Sequence, residues 1–288
     1  MLSSEVTFFR SFLHRIFGVG FFKLGHMGLS VIAGALIANI LGPEQFGRYS
    51  FAMAVALLAL QPIQMAVNTL LIRETARLFA KHLLGNIKGL FLVAAVVGLC
   101  SLCALPIIGI FLGDSLLKDR LSYDGSIFFV ASILCPFLAV AQMPGAIFQG
   151  FKRIQLGIAS DFLVVSIWLC LLVYGVFAES HLTATSIMVL HGVGAFVTLT
   201  AGCFLIYALV PKAVWQPKMT VDLSLWKKSF PPLFLSTALL IVNSQLDIII
   251  LGFFLGPDEV GSYRVASQLA LLVGVPLIIT NSLIAPYV

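Results

Sequence analysis

The sequence predicts an all-α integral membrane protein with about eight transmembrane helices: a first six-helix bundle, then the start of a second, parallel-repeat bundle. Three observations predict it, namely the composition, the length of the apolar runs and a repeated turn motif. Hydrophobic residues make up 60% of the 288 residues, charged residues make up 10%, and the mean hydropathy is +1.08. Soluble domains have about 45–50% apolar and about 25% charged residues. This composition indicates a protein whose solvent is the lipid bilayer.

Apolar runs long enough to cross a bilayer recur along the whole chain. A transmembrane helix needs about 20 predominantly apolar residues. Eight such runs are separated by short polar turns and lie near residues 17–41, 47–70, 89–113, 126–148, 156–178, 184–210, 230–254 and 262–286. The turns are too short to form a separate soluble domain, so we expect nearly the entire chain to be membrane helix.

One turn motif occurs twice in the chain. LGPEQFGRYSFAMAVALL at residues 41–58 returns as LGPDEVGSYRVASQLALL at residues 255–272, with Gly-Pro, a second Gly and a Tyr at matching positions. Gly and Pro end helices and permit tight turns, so each copy predicts the turn of a helical hairpin. The positions of the copies place the first and seventh spans in the same direction across the membrane. The repeat is therefore predicted to be parallel, with its axis along the membrane normal.

The repeat divides the chain into three parts. Residues 1–210 are predicted to form the six-helix transmembrane bundle, which begins with an N-terminal interfacial helix. Residues 211–229, which are rich in Lys, Pro and Trp, are predicted to be the cytoplasmic linker between bundles. Residues 230–288 are predicted to be the first two helices of the second bundle.

The distribution of positive charge predicts the orientation. When the spans alternate, most Lys and Arg residues fall on the side of the N-terminus, and Lys23 lies within the first span. The other side holds Arg48, Lys118, Arg120 and Arg264. Cytoplasmic loops carry the excess of Lys and Arg, so the N-terminus is predicted to be cytoplasmic.

Composition and motifs argue against other classes of protein. The net charge of +5 is not accompanied by a nucleic-acid-binding motif, so no nucleic-acid partner is predicted. The five cysteines all lie within apolar runs, and the Cys100-x-x-Cys103 pair lacks the second ligand pair of a zinc site. We therefore predict no metal and no cofactor.

Ionisable side chains inside the bilayer are the first candidates for function, because each costs about 2.5–3.5 kcal/mol on insertion scales. Lys23 and His26 lie one helical turn apart on the first span. They are predicted either to form a cationic patch that attracts an anionic group of a substrate or, for Lys23, to extend to the membrane interface.

Acidic and amide side chains supply further candidates. Asn243 and Asp247 share a face of the seventh span, and Asp247 is predicted to carry a proton, hold a cation, pair with Lys23 or form a structural pair between bundles. Asp161 lies just inside the fifth span, where it would either act in transport or neutralise the basic residues 152–153.

A polar stripe runs along the second span. Gln61, Gln64 and Asn68 follow one another at spacings of three and four residues. Such a stripe would either contact polar groups of a substrate or bond neighbouring helices. His191, a lone histidine in the sixth span, is interpreted as a packed residue.

Several stretches carry a family resemblance. ANILGPEQFGRYSFA, LIRETAR, IFQGFKRIQLG and NSQLDIIILGFFLGPDEVGSYRVA resemble the polysaccharide transporter branch of the multidrug/oligosaccharidyl-lipid/polysaccharide flippases, the Wzx-type O-antigen and exopolysaccharide flippases. The resemblance implies a two-bundle fold like that of the multidrug exporters in the superfamily. It also implies that the protein is not an enzyme but translocates undecaprenyl-diphosphate-linked repeat units across the inner membrane by alternating access.

The same resemblance implies partners and length. The partners would be the lipid-linked oligosaccharide, membrane lipids, and the polysaccharide polymerase and export machinery. With that substrate, Lys23 and His26 would attract the diphosphate, and the polar stripe of Gln61, Gln64 and Asn68 would contact sugar hydroxyls. Members of the family usually have twelve or fourteen spans, so about eight spans predict an incomplete version of a longer protein.

Two other functions stay open. In a cation-coupled multidrug exporter of the same superfamily, Asp161 and Asp247 would bind the cationic substrate or the coupling ion. A membrane polymerase or ligase of the same pathway would need a large outer loop with acid and base residues. The longest predicted outer loop, residues 114–125, contains three Asp residues without such a partner set.

Overall fold

The computed structural model describes residues 2–112, 125–178 and 182–274. These residues form α-helices joined by short turns, with a single 3-10 turn at Lys212–Val214 and no strand among them. The helices are α1 (Leu2–Ala80), α2 (Leu84–Leu112), α3 (Gly125–Ala141), α4 (Met143–Gly150), α5 (Ile154–Ala178), α6 (Ala184–Leu209), α7 (Leu223–Phe254) and α8 (Pro257–Val273). The all-α class is confirmed.

Helix α1 is interrupted at Gly42, whose φ of 72° and ψ of 170° are not helical. Only glycine adopts such a conformation readily. We call residues 2–41 α1a and residues 43–80 α1b. The N-terminal segment that was predicted to be an interfacial helix is continuous with α1a.

The chain reverses direction at Gly42. Phe22 on α1a contacts Phe162 near the start of α5, with ring centroids 5.7 Å apart. Thr75, near the end of α1b, packs against Gly150 at the end of α4: a Cβ on Gly150 would lie 2.6 Å from the Thr75 Cβ. The far ends of α1a and α1b therefore meet the same end of the molecule, where α4 turns into α5. The helices α1a and α1b form the hairpin that the first turn motif predicts.

Six helices among the described residues are long and apolar enough to cross a membrane. They are Gly20–Ala80, Leu84–Ile107, Gly125–Gly150, Ile154–Ala178, Ala184–Leu209 and Trp226–Phe254. The first contains both arms of the α1 hairpin, so these helices account for seven of the eight predicted runs. The eighth run, 262–286, begins in α8 and continues beyond residue 274, outside the described residues. The chain is a multi-pass membrane protein.

The predicted run 126–148 is divided in the structure. A turn at Gln142 separates α3 from α4, and Pro144 stands at the start of α4. Proline has no N–H to continue a helical hydrogen-bond ladder, and it is best tolerated in a first helical turn. The division therefore lies where the local chemistry favours it.

Buried residues form two clusters at different levels of the molecule. One cluster, with Phe46, Phe51 and Val260, joins α1 to α3, α5, α6, α7 and α8 near the Gly42 end. The other, with Leu70 and Val214, joins α1b to α2, α4, the linker and α7 at the opposite end. Helices α7 and α8 also pack far more extensively on α1 than on each other.

The linker is bonded to the start of α2. Lys88 Nζ donates hydrogen bonds to the carbonyl oxygens of Trp215 and Pro217 at 2.5 and 2.6 Å. The Thr220 backbone N–H donates to the Gly85 carbonyl at 3.2 Å. A Cβ on Gly85 would lie 2.5 Å from the Lys218 carbonyl oxygen, so this glycine lets the linker approach. Residues 211–222 thus form a strap on α2, which we call the linker strap.

Candidate transport path between the two repeat copies

The two copies of the turn motif lie against each other. A Cβ on Gly47 would contact the Pro257 carbonyl oxygen and lie 2.7 Å from its carbon, and a Cβ on Gly261 would contact the Pro43 carbonyl oxygen and lie 3.0 Å from its carbon. Pro43 and Gly47 occupy the same positions in the first copy as Pro257 and Gly261 in the second. The two contacts are therefore exchanged by a two-fold operation. We call these four residues the Gly-Pro junction.

Below the junction, each arm of the first hairpin pairs with one arm of the second. Phe51 and Phe253 have ring centroids 5.8 Å apart, and Thr237 Oγ1 donates to the Pro62 carbonyl at 2.8 Å, so α7 runs along α1b. A Cβ on Gly34 would lie 2.7 Å from the Gln268 Cδ, so α8 runs along α1a. The first copy (α1a and α1b) and the second copy (α7 and α8) form a four-helix interface. Most of the candidate site residues lie on these helices.

The basic turns lie at the end opposite the junction. Phe79 and Phe151 have ring centroids 5.3 Å apart, which brings the turn after α1b beside the turn between α4 and α5. The linker strap is at the same end, because Lys88 follows the first of these turns. The membrane protein thus has a Gly-Pro face and a basic face.

Lys23 and His26 lie on the part of α1a that is far from the junction. Lys23 is exposed and His26 is half-buried. Nearer the junction, α1a is closely covered, because Ala33 and Ile37 are 0% and 2% exposed. No ion pair involves Lys23 within the described part of the chain. The structure therefore places this cationic patch toward the basic face.

Asp247 lies near the junction and binds within the second copy. Its Oδ2 accepts a hydrogen bond from the Tyr263 hydroxyl at 2.7 Å, and its Oδ1 accepts one from the Ile248 N–H at 2.8 Å. The Arg264 guanidinium lies within electrostatic reach of Asp247 and of the buried Tyr49. Asp247 and Lys23 lie at different levels of the interface, so the structure does not bring this pair together. Asn243, one turn from Asp247, is exposed.

Sequence reasoning missed the partners of Asp247. Tyr263 was recognised only as a repeated turn residue, and Arg264 only as one of the few charges on its side of the membrane. The signal that pointed to them was the spacing of the second turn motif, which places them two and three residues after Gly261. Their distance from Asp247 depends on how α8 folds back on α7.

Gln64 and Asn68 face the interior of the first bundle. Gln64 is buried, and its Nε2 donates to the Ala139 carbonyl of α3 and to Asn68 Oδ1, the latter at 3.2 Å. Asn68 itself is half-buried. The amide N–H group of Gln64 is thus engaged with a neighbouring helix of the same bundle.

Asp161 is half-buried between α5 and α4. A Cβ on Gly145 would lie 3.4 Å from Asp161 Oδ1. The described residues contain no ion pair between Asp161 and Lys152 or Arg153. Asp161 precedes Phe162, the residue that contacts α1a. It is therefore an acidic side chain inside the first bundle and close to the start of the first span.

Two further polar groups lie inside the first bundle. Glu74 is 1% exposed and pairs with Arg73 at 3.1 Å and Arg77 at 3.2 Å. His191 stacks on Trp168 with ring centroids 4.1 Å apart. Within the described ranges, no three His, Cys, Asp or Glu side chains group as metal ligands would.

A helical membrane protein with two similarly built hairpins around a two-fold junction has the architecture of transporters made from parallel repeats. The family model of polysaccharide biosynthesis proteins matches residues 15–287. The chain belongs to this family, which is a transporter family linked to polysaccharide biosynthesis. No curated protein and no solved structure shows a significant match to the chain.

Proposed function

We propose that this protein is a flippase that moves undecaprenyl-diphosphate-linked oligosaccharide repeat units across the inner membrane. The observation that carries the proposal is the family match over residues 15–287, together with the two-fold junction between the repeat copies. A transporter built from two similar halves alternates access by moving one half against the other. The interface of α1a, α1b, α7 and α8 is where such a movement takes place.

The positive charge supports the orientation of this path. The turns at 81–83 and 151–153 and the linker strap lie at one end and are rich in Lys and Arg. By the positive-inside rule that end is cytoplasmic, so the N-terminus is cytoplasmic and the Gly-Pro face is the outer face. The lipid-linked substrate then enters at the end where Lys23 is exposed.

Lys23 and His26 would act on the anionic part of the substrate. The diphosphate carries negative charge through the membrane, and an ammonium group near the entrance lowers the cost of that step. The sugar would be accommodated where the two copies separate. Polymerase and export machinery would take up the product on the outer face.

Complementation tests the proposal. The gene that encodes this chain is expressed in a strain without its own repeat-unit flippase, and surface polysaccharide is measured. We expect polysaccharide to be restored. Absence of rescue, with the protein present in the membrane, would contradict the proposed function.

A charge-reversal variant tests the role of Lys23. Attraction between unit charges 4 Å apart is about 1 kcal/mol in water and about 4 kcal/mol near a protein surface, so Lys23→Glu should lower transport by about tenfold or more. Lys81→Glu makes the same change of charge at the same end but in an exposed turn. Transport should be slower in Lys23→Glu than in Lys81→Glu. Equal transport rates would exclude a role for Lys23 in binding the diphosphate.

A multidrug exporter is the second candidate. Asp161 favours it, because this half-buried carboxylate has no ion-pair partner among the described residues and would attract a cationic drug. Asp247 favours it less, because the Tyr263 hydroxyl already donates to it and the Arg264 guanidinium lies within electrostatic reach. Drug-resistance profiling of cells with and without the gene distinguishes the two candidates.

A further inference from the structure

We propose that the Gly-Pro junction is the gate that closes the transport path at the Gly-Pro face, and that Gly47 and Gly261 are the residues that allow it to close. This inference rests on the proposed transport function and adds the location of one gate. It is carried by the geometry of the two turn motifs and by the contrast with the linker strap at the other end.

The approach of the two copies at the junction is possible only for glycine. Besides the contacts with the proline carbonyls, a Cβ on Gly47 would lie 3.0 Å from the Gly261 nitrogen, and a Cβ on Gly261 would lie 3.1 Å from the Gly47 nitrogen. Backbone atoms cannot move aside as the tip of a flexible side chain can. Small residues at helix contacts permit this kind of close approach in membranes.

The residues that precede these glycines complete the closure. Phe46 is 1% exposed and Val260, its counterpart in the second copy, is 0% exposed. Phe46 also stacks on Tyr49, with ring centroids 6.2 Å apart. Each copy thus places a fully buried apolar side chain beside the backbone contact, and together these features close the path at this face.

The close approach is confined to the second glycine of each motif. Nothing lies within 4 Å of a Cβ built on Gly42, and a Cβ on Gly256 would meet only Glu259 of its own turn. The first glycine serves the turn of its hairpin. The second glycine serves the contact between hairpins, which explains why the motif repeats both.

The junction is held by packing alone. None of the hydrogen bonds among the described residues joins residues 43–47 to residues 257–261. Contacts between a Cα–H group and a carbonyl are worth only about 0.5–1 kcal/mol each. The two copies can therefore separate here without breaking a conventional hydrogen bond, whereas the linker strap holds its end with several. The halves part at the junction and pivot at the strap.

Cross-linking tests the gate directly. Pro43→Cys and Pro257→Cys are introduced together after the five native cysteines are replaced, and membranes are treated with a short bifunctional thiol reagent. With a bis-methanethiosulfonate as the reagent, each cysteine forms a disulfide with the linker that a reductant can cleave. We therefore expect efficient cross-linking, loss of transport and recovery of transport after reduction. The control pair Phe79→Cys and Phe151→Cys lies within the first bundle, where the rings are 5.3 Å apart. Cross-linking of the control pair should leave transport unchanged.

Two results would overturn the gate. One is a cross-linked Pro43→Cys/Pro257→Cys protein that transports at the uncross-linked rate. The other is failure of this pair to cross-link under conditions in which the control pair does. Failure of the proposed function looks different, because the unmodified protein would then not rescue the flippase-deficient strain even though the cross-link forms.

A second measurement needs no transport assay. Ser50 is 5% exposed and lies one turn below Gly47, so Ser50→Cys reports whether the gate is open to a membrane-impermeant maleimide. An added methyl group in a close-packed contact prevents full closure, so Gly261→Ala should increase labelling by about tenfold. Gly28→Ala is the matched control, since nothing lies within 4 Å of its Cβ. Equal labelling in both variants would show that the junction does not control access.

Discussion

The first bundle is joined to the linker, α7 and α8 in different ways at the two faces of the molecule. At the Gly-Pro face, two glycines and two proline carbonyls meet by packing, and none of the hydrogen bonds among the described residues joins residues 43–47 to residues 257–261. At the basic face, Lys88 and Thr220 bond the linker strap to α2. Between them lies one bond, from Thr237 to the Pro62 carbonyl. The number of hydrogen bonds therefore increases from the Gly-Pro face to the basic face, as expected for a hinge opposite a gate.

The largest effect on stability is expected at the strap. Lys88→Met removes two charge-assisted hydrogen bonds to the linker, each partly exposed, and should lower the free energy of unfolding by about 2 kcal/mol. Thermal unfolding in detergent measures the loss of stability, and the rate of proteolysis within residues 211–222 measures the release of the linker strap. Lys81→Met is the control, since Lys81 is exposed in the adjacent turn. If the two variants unfold alike, the strap is not a fixed attachment.

A smaller effect is expected beside the junction. Tyr263→Phe removes the hydroxyl that binds Asp247 and should destabilise the protein by about 1 kcal/mol, because the acceptor is a carboxylate. Tyr207→Phe removes a hydroxyl from a residue that is 77% exposed and should have no effect. The bond lies within the second copy, so cross-linking at the junction should be unchanged in Tyr263→Phe. A change in cross-linking efficiency at the junction would mean that Asp247 also helps to hold the two copies together.

The smallest effect is expected midway along the interface. Thr237→Val keeps the shape of the side chain but removes its bond to the Pro62 carbonyl, and bonds of this kind between membrane helices average about 0.6 kcal/mol. Thr200→Val is the matched control, because the Thr200 hydroxyl bonds only carbonyls of its own helix. A thermal shift larger than that of Lys88→Met would reverse the proposed order of attachment.

The helices and turns were predictable because their signals are local. Apolar runs of bilayer length fixed the spans, and the chemistry of Gly42 and Pro43 fixed the first reversal. The matching second motif predicted a second reversal, which lies at Leu255 and Gly256 between α7 and α8. Each of these features depends on residues that are neighbours in the sequence.

The candidate site was less predictable because its contacts are distant in sequence. Lys88 bonds carbonyls 127 and 129 residues away, and nothing around Lys88 indicates it. Asp247 was recognised as a candidate, but its partner Tyr263 depends on the packing of α8 on α7. Gln64 is a further example of a contact that is distant in sequence. The spacing of the polar stripe could be recognised in the sequence, but the bond from Gln64 to α3 could not.

The break at Gly42 has a mechanical consequence. A single non-helical residue joins α1a to α1b, and two residues, Leu255 and Gly256, join α7 to α8. Connections this short contain no slack, so tilting one arm of a hairpin must carry the other arm with it. Each hairpin then moves as a rigid unit. A displacement that the substrate imposes on one arm is therefore transmitted to the other arm. Lengthening either connection by a few flexible residues would absorb that displacement and leave two folded hairpins that no longer move together.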